Sequence, residues 1–496
     1  MIRSIRERMP QMTLLLLATL LLTSHLGEAQ DKAKQIDELV QKFSEYGQFN
    51  GAVLVAEQGK VIFKKGYGQA NKEWGIPNAP DTKFRLGSIT KQFTAMLIMQ
   101  LVEQGKIRLD GKITEYIPDY PKATGERVTI HHLLTHTSGI PSYTSMPKFV
   151  QELSRTPYTP TDFIKVFRDL PLEFEPGAKF VYNNSGYFLL GVIIEKVKGK
   201  TYAQALEERI FKPLGMTNSG YDVPAPILPN RAAGYQKQAG RYVNALYLDM
   251  TIPYSAGSLY ATVEDLYLWD QALYGDKLLS EKFRTMMFDP RISASGVPGS
   301  SKYYAYGWMV GKDAIGTTND SVYTISHGGS INGFNTLIAR IPETKSLVVL
   351  LNNTGSAPLG PMAQSIVGIL YGKSYAPAKR SVADLLRETI RTSGIEAAVS
   401  QFKDLRAKKD ENYLSEFEIN SLGYEYLQAT KLKEAIEVFK LNVEAFPQSF
   451  NVYDSLGEAY AAAGEKELAI KNYEKSLELD PKSRSGIDAL KKLKAQ

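Results

Sequence analysis

The chain has 496 residues, 43% of them hydrophobic and 10% aromatic, with a net charge of +6. That is enough chain for two or more cored domains, and its lysines and glutamates are too interspersed for a nucleic-acid partner. There is no cysteine, which excludes disulfides, thiolate catalysis, Cys-ligated zinc and lipid attachment through an N-terminal cysteine.

The first segment carries Arg3, Arg6 and Arg8, then an apolar run from Leu14 to Leu22, then the small residues Gly27 and Ala29. This predicts a secretory signal peptide over residues 1–29, cut near Ala29, with an uncleaved anchor as the alternative. The run is short for a membrane span and no later one is longer, so the exported protein, periplasmic or secreted, is expected to have no stable span after cleavage.

"GAVLVAEQGKVIFKKGYG" (51–68) reads as two strands around a turn at Glu57–Lys60. "FRLGSITKQFTAMLIMQLVEQGK" (84–106) reads as a buried helix, with Phe93, Met96, Leu97, Met99, Leu101 and Val102 at helical spacing. At its start Ser88 and Lys91 share one face, one turn apart. Ser88 as a helix cap with Lys91 reaching solvent would explain this pair. So would an activated nucleophile, in which a buried, neutral lysine takes the serine proton.

Farther on, "VTIHHLLTHTSGIPSY" (128–143) places His132 and His136 four residues apart on an expected helix. Leu133 stands where a zinc-protease helix carries glutamate, so no metal is expected there. "FEPGAKFVYNNSGYFLLGVIIEKV" (174–197) puts Tyr182 and Asn184 on a loop before an apolar helix beginning at Tyr187, well placed to enter a cleft. Late strands are expected in 304–310, 321–329 and 335–353. With the early hairpin they would close one antiparallel sheet beside a helical middle. In "ISHGGSINGF" (325–334), His327 is read as ending a strand, and Gly328 and Gly329 as allowing close backbone approach or an oxyanion donor. No G-x-S-x-G elbow occurs.

Residues 373–382 read as a linker. Beyond it Leu422, Gly423, Tyr426, Ala435, Phe439 and Pro447 recur as Leu456, Gly457, Tyr460, Ala469, Tyr473 and Pro481, each 34 residues later. The pattern resembles the tetratricopeptide repeat, with clear units at 416–449 and 450–483, a degenerate earlier unit around Ala398 and Phe402, and a capping helix at 487–493.

Taken together, Ser88-Ile-Thr-Lys91, Tyr182-Asn-Asn184 and His327-Gly328-Gly329, in this order, resemble the S-x-x-K, Y-x-N and K-T-G or H-x-G motifs of the β-lactamase-related serine hydrolases. That group contains class C β-lactamases, D-Ala-D-Ala carboxypeptidases, esterases and amidases. The resemblance covers roughly residues 35–370, within an expected domain of 30–372. It implies an α+β fold, an antiparallel sheet flanked by helices with a helical subdomain, followed by an all-α repeat domain over 383–496. It implies Ser88 as the nucleophile of an acyl-enzyme, Lys91 and Tyr182 sharing its proton, Asn184, His327, Gly328 and Gly329 binding substrate, and backbone N–H groups of Ser88 and Ser330 as an oxyanion hole. No cofactor is implied. His327, where dedicated β-lactamases mostly carry lysine, points toward an ester, amide or D-amino-acid peptide substrate, with weak β-lactamase or penicillin-binding activity at most. The competing expectation is a catalytically weak penicillin-binding-like sensor whose repeats bind a protein partner.

Overall fold

The computed structural model describes residues 27, 29–296 and 300–495; Arg3–Leu22, on which the leader expectation rests, lie outside them. Among the described residues no helix is long and apolar enough to cross a membrane. The chain divides into two compact units, one running to Gln236 and resuming over Val243–Pro377, the other made of Lys237–Tyr242 and Ala378–Gln496.

The first unit is built on an antiparallel sheet of eight strands. They are β1 (Gly51–Glu57), β2 (Lys60–Tyr67), β3 (Ile292–Ser293), β4 (Lys302–Tyr304), β5 (Met309–Ala314), β6 (Ser321–Ile331), β7 (Phe334–Ile341) and β8 (Ser346–Asn352). Their spatial order is β3-β4-β5-β6-β7-β8-β1-β2, so the early hairpin adds to the edge of the late strands through β1 against β8. The β1–β2 turn holds Gln58 and Gly59 at φ of 53° and 73°, the left-handed pair that suits a two-residue hairpin. Two of the expected late runs each resolve into two strands. "NTLIARIPETKSLVVLLNN" is a hairpin, because Pro342 cannot donate to a ladder and Lys345 turns the chain at φ 49°. "YAYGWMV" breaks at Gly307, φ 80°, into the end of β4 and the start of β5.

The central strands β1 and β8 are buried almost throughout. Alternation sends Ala52, Leu54, Ala56, Leu347, Val349 and Leu351 into the main core. Val53, Val55, Val348 and Leu350 then face the opposite side and are equally buried. The main core is completed by helices α1 (Thr90–Glu103), α2 (Asn184–Lys198) and α3 (Val263–Ala272). Nearly every residue of α1 is buried, its apolar residues all round, with Phe93 stacked on Trp269 at 4.3 Å. Between the interior strand β7 and α3, the buried Arg340 and Asp270 form an ion pair.

The second unit contains seven helices among its described residues: α4 (Val382–Ser393), α5 (Ile395–Ala407), α6 (Glu416–Gln428), α7 (Leu432–Ala445), α8 (Phe450–Ala462), α9 (Lys466–Leu479) and α10 (Arg484–Ala495). The 34-residue period has a direct packing cause. A Cβ on Gly423 of α6 would stand 2.4 Å from the ring of Phe439 on α7, and one on Gly457 of α8 would stand 3.2 Å from Tyr473 on α9. Each glycine is thus the seat of its own repeat's aromatic ring.

Candidate active site

Neither end of the Ser88–Lys91 pair behaves as a surface helix cap. Ser88 lies in a single 3-10 turn, Gly87–Ile89, ahead of α1, and its side chain caps nothing. Lys91 is 0% exposed. Its Nζ lies 3.1 Å from Ser88 Oγ, 2.8 Å from Asn184 Oδ1 and 2.9 Å from the carbonyl of Ala256. Burial without a carboxylate partner drives its amine well below the ordinary lysine range. Ser88 itself is half-buried and so remains reachable.

The second stretch arrives on the N-terminus of α2. That helix starts at Asn184 rather than Tyr187, because Asn183 is its cap and accepts from Gly186 N at 2.7 Å. Asn184 is therefore a first-turn residue whose Nδ2 donates to Thr144 Oγ1 at 3.1 Å, which fixes its Oδ1 toward Lys91. Tyr182 is 39% exposed as a residue, but its phenol end is enclosed beside the Ser88 hydroxyl, and burial pushes that phenol above its usual range. Its ring centroid lies 4.8 Å from Lys91 Nζ.

The expected His132–His136 helical pair does not form. The helix there ends at Leu134, and His136 sits beyond it at φ 59°. His136 Nδ1 accepts from Asn183 N at 3.0 Å, and its ring packs 4.3 Å from that of Tyr182.

His327 is in mid-strand, not at a strand end, since β6 runs on to Ile331. β5 pairs with β6 only as far as Ser326, so from His327 onward β6 has a ladder partner on one side alone, β7. The open side receives the turn that carries Ser88. A Cβ on Gly87, φ 55°, would stand 2.9 Å from Ser330 N, and one on Gly329 would stand 1.9 Å from the Leu86 carbonyl. Both glycines are required for this approach, which puts the backbone of Ser330 beside that of Ser88. Thr336 Oγ1 fastens it by donating to the Leu86 carbonyl at 2.7 Å. Gly328 is exposed on the same edge, and its carbonyl lies 2.6 Å from His327 Nδ1.

The Beta-lactamase family model matches residues 36–366, which takes in all three motifs. The chain belongs to the Beta-lactamase family. PbpX of Bacillus subtilis (strain 168), a penicillin-binding protein by name, is 31% identical over 347 residues, 69% of this chain and 81% of that protein. A penicillin binding protein from Bacillus halodurans superposes with a TM-score of 0.57 at 29% identity, over 67% of this chain and 97% of that one. A D-amino acid amidase from Ochrobactrum anthropi SV3 superposes with a TM-score of 0.60 at 25% identity, over 69% and 99%. The Tetratricopeptide repeat model matches residues 450–483.

Within this Beta-lactamase fold two groups at the site escape sequence reasoning. The Ala256 carbonyl, in the turn Tyr254–Gly257, is a third partner of Lys91, and a main-chain acceptor carries no signature of its own. Tyr304, at the end of β4, places its hydroxyl 3.0 Å from His327 Nε2. Nothing in its sequence neighbourhood links it to residue 327.

Proposed function

We propose that this chain is an exported serine hydrolase that works through an acyl-enzyme on Ser88. The observation that supports it is the set of partners around Lys91. Asn184 Oδ1 and the Ala256 carbonyl can only accept hydrogen bonds. A neutral amine has two N–H bonds and one lone pair. With both N–H bonds directed at those acceptors, the lone pair faces Ser88 Oγ and accepts its proton.

On this reading Ser88 Oγ attacks a substrate carbonyl as its proton passes to Lys91 Nζ. The developing oxyanion takes hydrogen bonds from the backbone N–H groups of Ser88 and Ser330, each worth roughly 2.7–4 kcal/mol in such sites. Tyr182, a protonated phenol beside Ser88, relays the proton onward to the leaving group. Water then attacks the acyl-enzyme, Lys91 takes the water's proton, and that proton returns to Ser88 Oγ. Asn184 orients Lys91 throughout, and Gly328 and Gly329 leave the strand edge open for substrate. No cofactor enters these steps.

The substrate is an ester, an amide or a D-amino-acid peptide, in keeping with relatives that include a D-amino acid amidase by name. The repeats at the C-terminus are a docking surface for a protein partner, consistent with the repeat match over 450–483. The Arg3–Leu22 segment supports export to the periplasm or beyond. A fluorophosphonate probe applied to the intact protein tests the central claim. Ser88 should be labelled stoichiometrically, and Ser88→Ala should lose both the label and hydrolysis of short-chain esters. A folded Ser88→Ala protein that keeps its turnover would refute the assignment.

A further inference from the structure

The third motif raises a question that its sequence does not answer. Histidine there could offer an N–H or a positive charge to a substrate carboxylate, as the lysine of β-lactamases does. The hydrogen bonds around His327 bear on that choice. The Gly328 carbonyl, 2.6 Å from Nδ1, can only accept, so Nδ1 carries the proton. In a neutral ring Nε2 then holds the lone pair, and the Tyr304 hydroxyl at 3.0 Å donates to it. Tyr187 donates its own hydroxyl proton to the Leu134 carbonyl at 2.9 Å, which leaves its oxygen as a second acceptor beside the Tyr304 hydroxyl; a neutral ring protonated on Nδ1 can pair with that hydroxyl at Nε2 only by accepting from it. Tyr304 is 0% exposed and His327 is 5% exposed.

The titratable and charged groups that face His327 are Lys91 of α1, Tyr182 before α2, His136 and Tyr304. None is a carboxylate. Burial and the nearby Lys91 lower the imidazole to about 4, so the ring stays neutral over the range in which most enzymes work. The surroundings hold no compensating charge, and they leave no N–H of His327 free.

We propose that Tyr304 is a specificity-determining residue: by occupying Nε2 of His327 it withholds that position from a substrate carboxylate, so the site selects acyl donors that are uncharged beside the third motif. The inference rests on the reading of Ser88 as nucleophile. It separates a β-lactamase or D-Ala-D-Ala carboxypeptidase, whose substrates carry a free carboxylate there, from an esterase or amidase working on neutral ones. Tyr304 acts through His327 and not on the reacting atoms.

The test uses two thioesters with one acyl group, N-benzoyl-D-alanyl thioglycolate and its methyl ester, and the full-length protein. The wild type should prefer the methyl ester. Tyr304→Phe uncovers Nε2 for a proton, and the preference should move about tenfold toward the free acid at about pH 4.5, close to where the ring titrates, the change expected for one charged hydrogen bond. The shift should shrink at pH 8 and vanish in Tyr304→Phe/His327→Gln. Because the readout is a ratio, a general loss of rate cancels. An unchanged ratio in folded Tyr304→Phe overturns the proposal. A second measurement needs no variant. Nitrogen NMR of histidine-labelled wild type should show His327 protonated on Nδ1 and bare on Nε2 at pH 7, and an Nε2-protonated or charged ring would overturn the proposal. Failure of the Ser88 reading looks different: neither thioester would be cleaved in a Ser88-dependent way, while the NMR result would stand.

Discussion

Lys91 is a fully buried amine held between Ser88 Oγ, Asn184 Oδ1 and the Ala256 carbonyl, and that environment sets the direction of two experiments. Its amine is held far below its unfolded value, so the unfolded chain binds one more proton across the intervening pH range. Stability should therefore rise with pH through that range. Lys91→Met removes the buried base and should keep or raise stability by about 1 kcal/mol in urea unfolding, while hydrolysis falls about 10 000-fold. A large loss of stability in that variant would mean that the amine is a structural strut. For the wild type, kcat/KM should fall tenfold per pH unit on the acid side of the Lys91 titration, because only the free amine can take the Ser88 proton. Tyr182→Phe should lower the rate without moving that acid limb. The Ser88–Lys91 pair was legible in the sequence through its order with Tyr182-Asn-Asn184 and His327-Gly328-Gly329; the pair alone fitted a helix cap as well. Tyr304 was not legible, because its role depends on a pairing across β4, β5 and β6 that places residues 304 and 327 together.

At the scale of elements, the meeting of the Ser88 turn with the open side of β6 is the feature most exposed to a small substitution. A methyl group at Gly329 would stand 1.9 Å from the Leu86 carbonyl and 2.3 Å from Thr336 Oγ1, both parts of the fastening. Gly329→Ala should push turn and strand apart and lower kcat by about 100-fold or more, through loss of the Ser330 donor. KM for a neutral ester should change little by comparison. In the repeats, Gly423→Ala collides with the Phe439 ring at 2.4 Å and should destabilise that unit by roughly 1–3 kcal/mol, read as a lower melting temperature with hydrolysis unaffected. Both glycines were visible in the sequence as motif positions. Close backbone approach was readable at Gly329 and close packing at Gly423; the repeat period also exposes which aromatic accompanies which glycine, whereas nothing in the sequence pointed from Gly329 to the Leu86 carbonyl. The hairpin at Pro342–Lys345 and the break at Gly307 were read through although Pro342, with the polar Glu343, Thr344 and Lys345 after it, and Gly307 are turn signals, because each interruption is short and lies between strand-forming residues on both sides. His136 misled for a related reason: the i, i+4 spacing held in sequence, but the helix had already ended at Leu134.

For the molecule as a whole, acid sensitivity should originate in the first unit. His327 and His131 are lowered to about 4, and His132 and His136 are also lowered, in each case chiefly by burial. Groups depressed in the fold contribute stability that is full above the unfolded histidine value near 6.5 and is lost as pH falls toward 4. For His327 alone the linkage is on the order of 3 kcal/mol. Calorimetry between pH 7 and 4 should show the first unit's transition falling steeply; a flat profile would mean that the rings are not buried neutral. A chain ending at Pro377 should fold and hydrolyse neutral esters at near wild-type rates, because every residue placed at the site precedes that point. The order of strands has a further consequence, in time rather than in space. Gly51 of β1 pairs with Asn352 of β8, so the sheet closes across almost the whole first unit. A chain emerging from the ribosome holds Ser88 and Lys91 long before it holds β6, and it cannot seal the sheet until β8 appears. Such long-range closure is slow. The helical repeats, whose contacts are between sequence neighbours, should collapse quickly once synthesised. Newly made protein should thus pass through a stage in which its repeats are structured and Ser88 has not yet met the edge of β6, and on the proposed function helical signal should return well ahead of hydrolysis in refolding from urea.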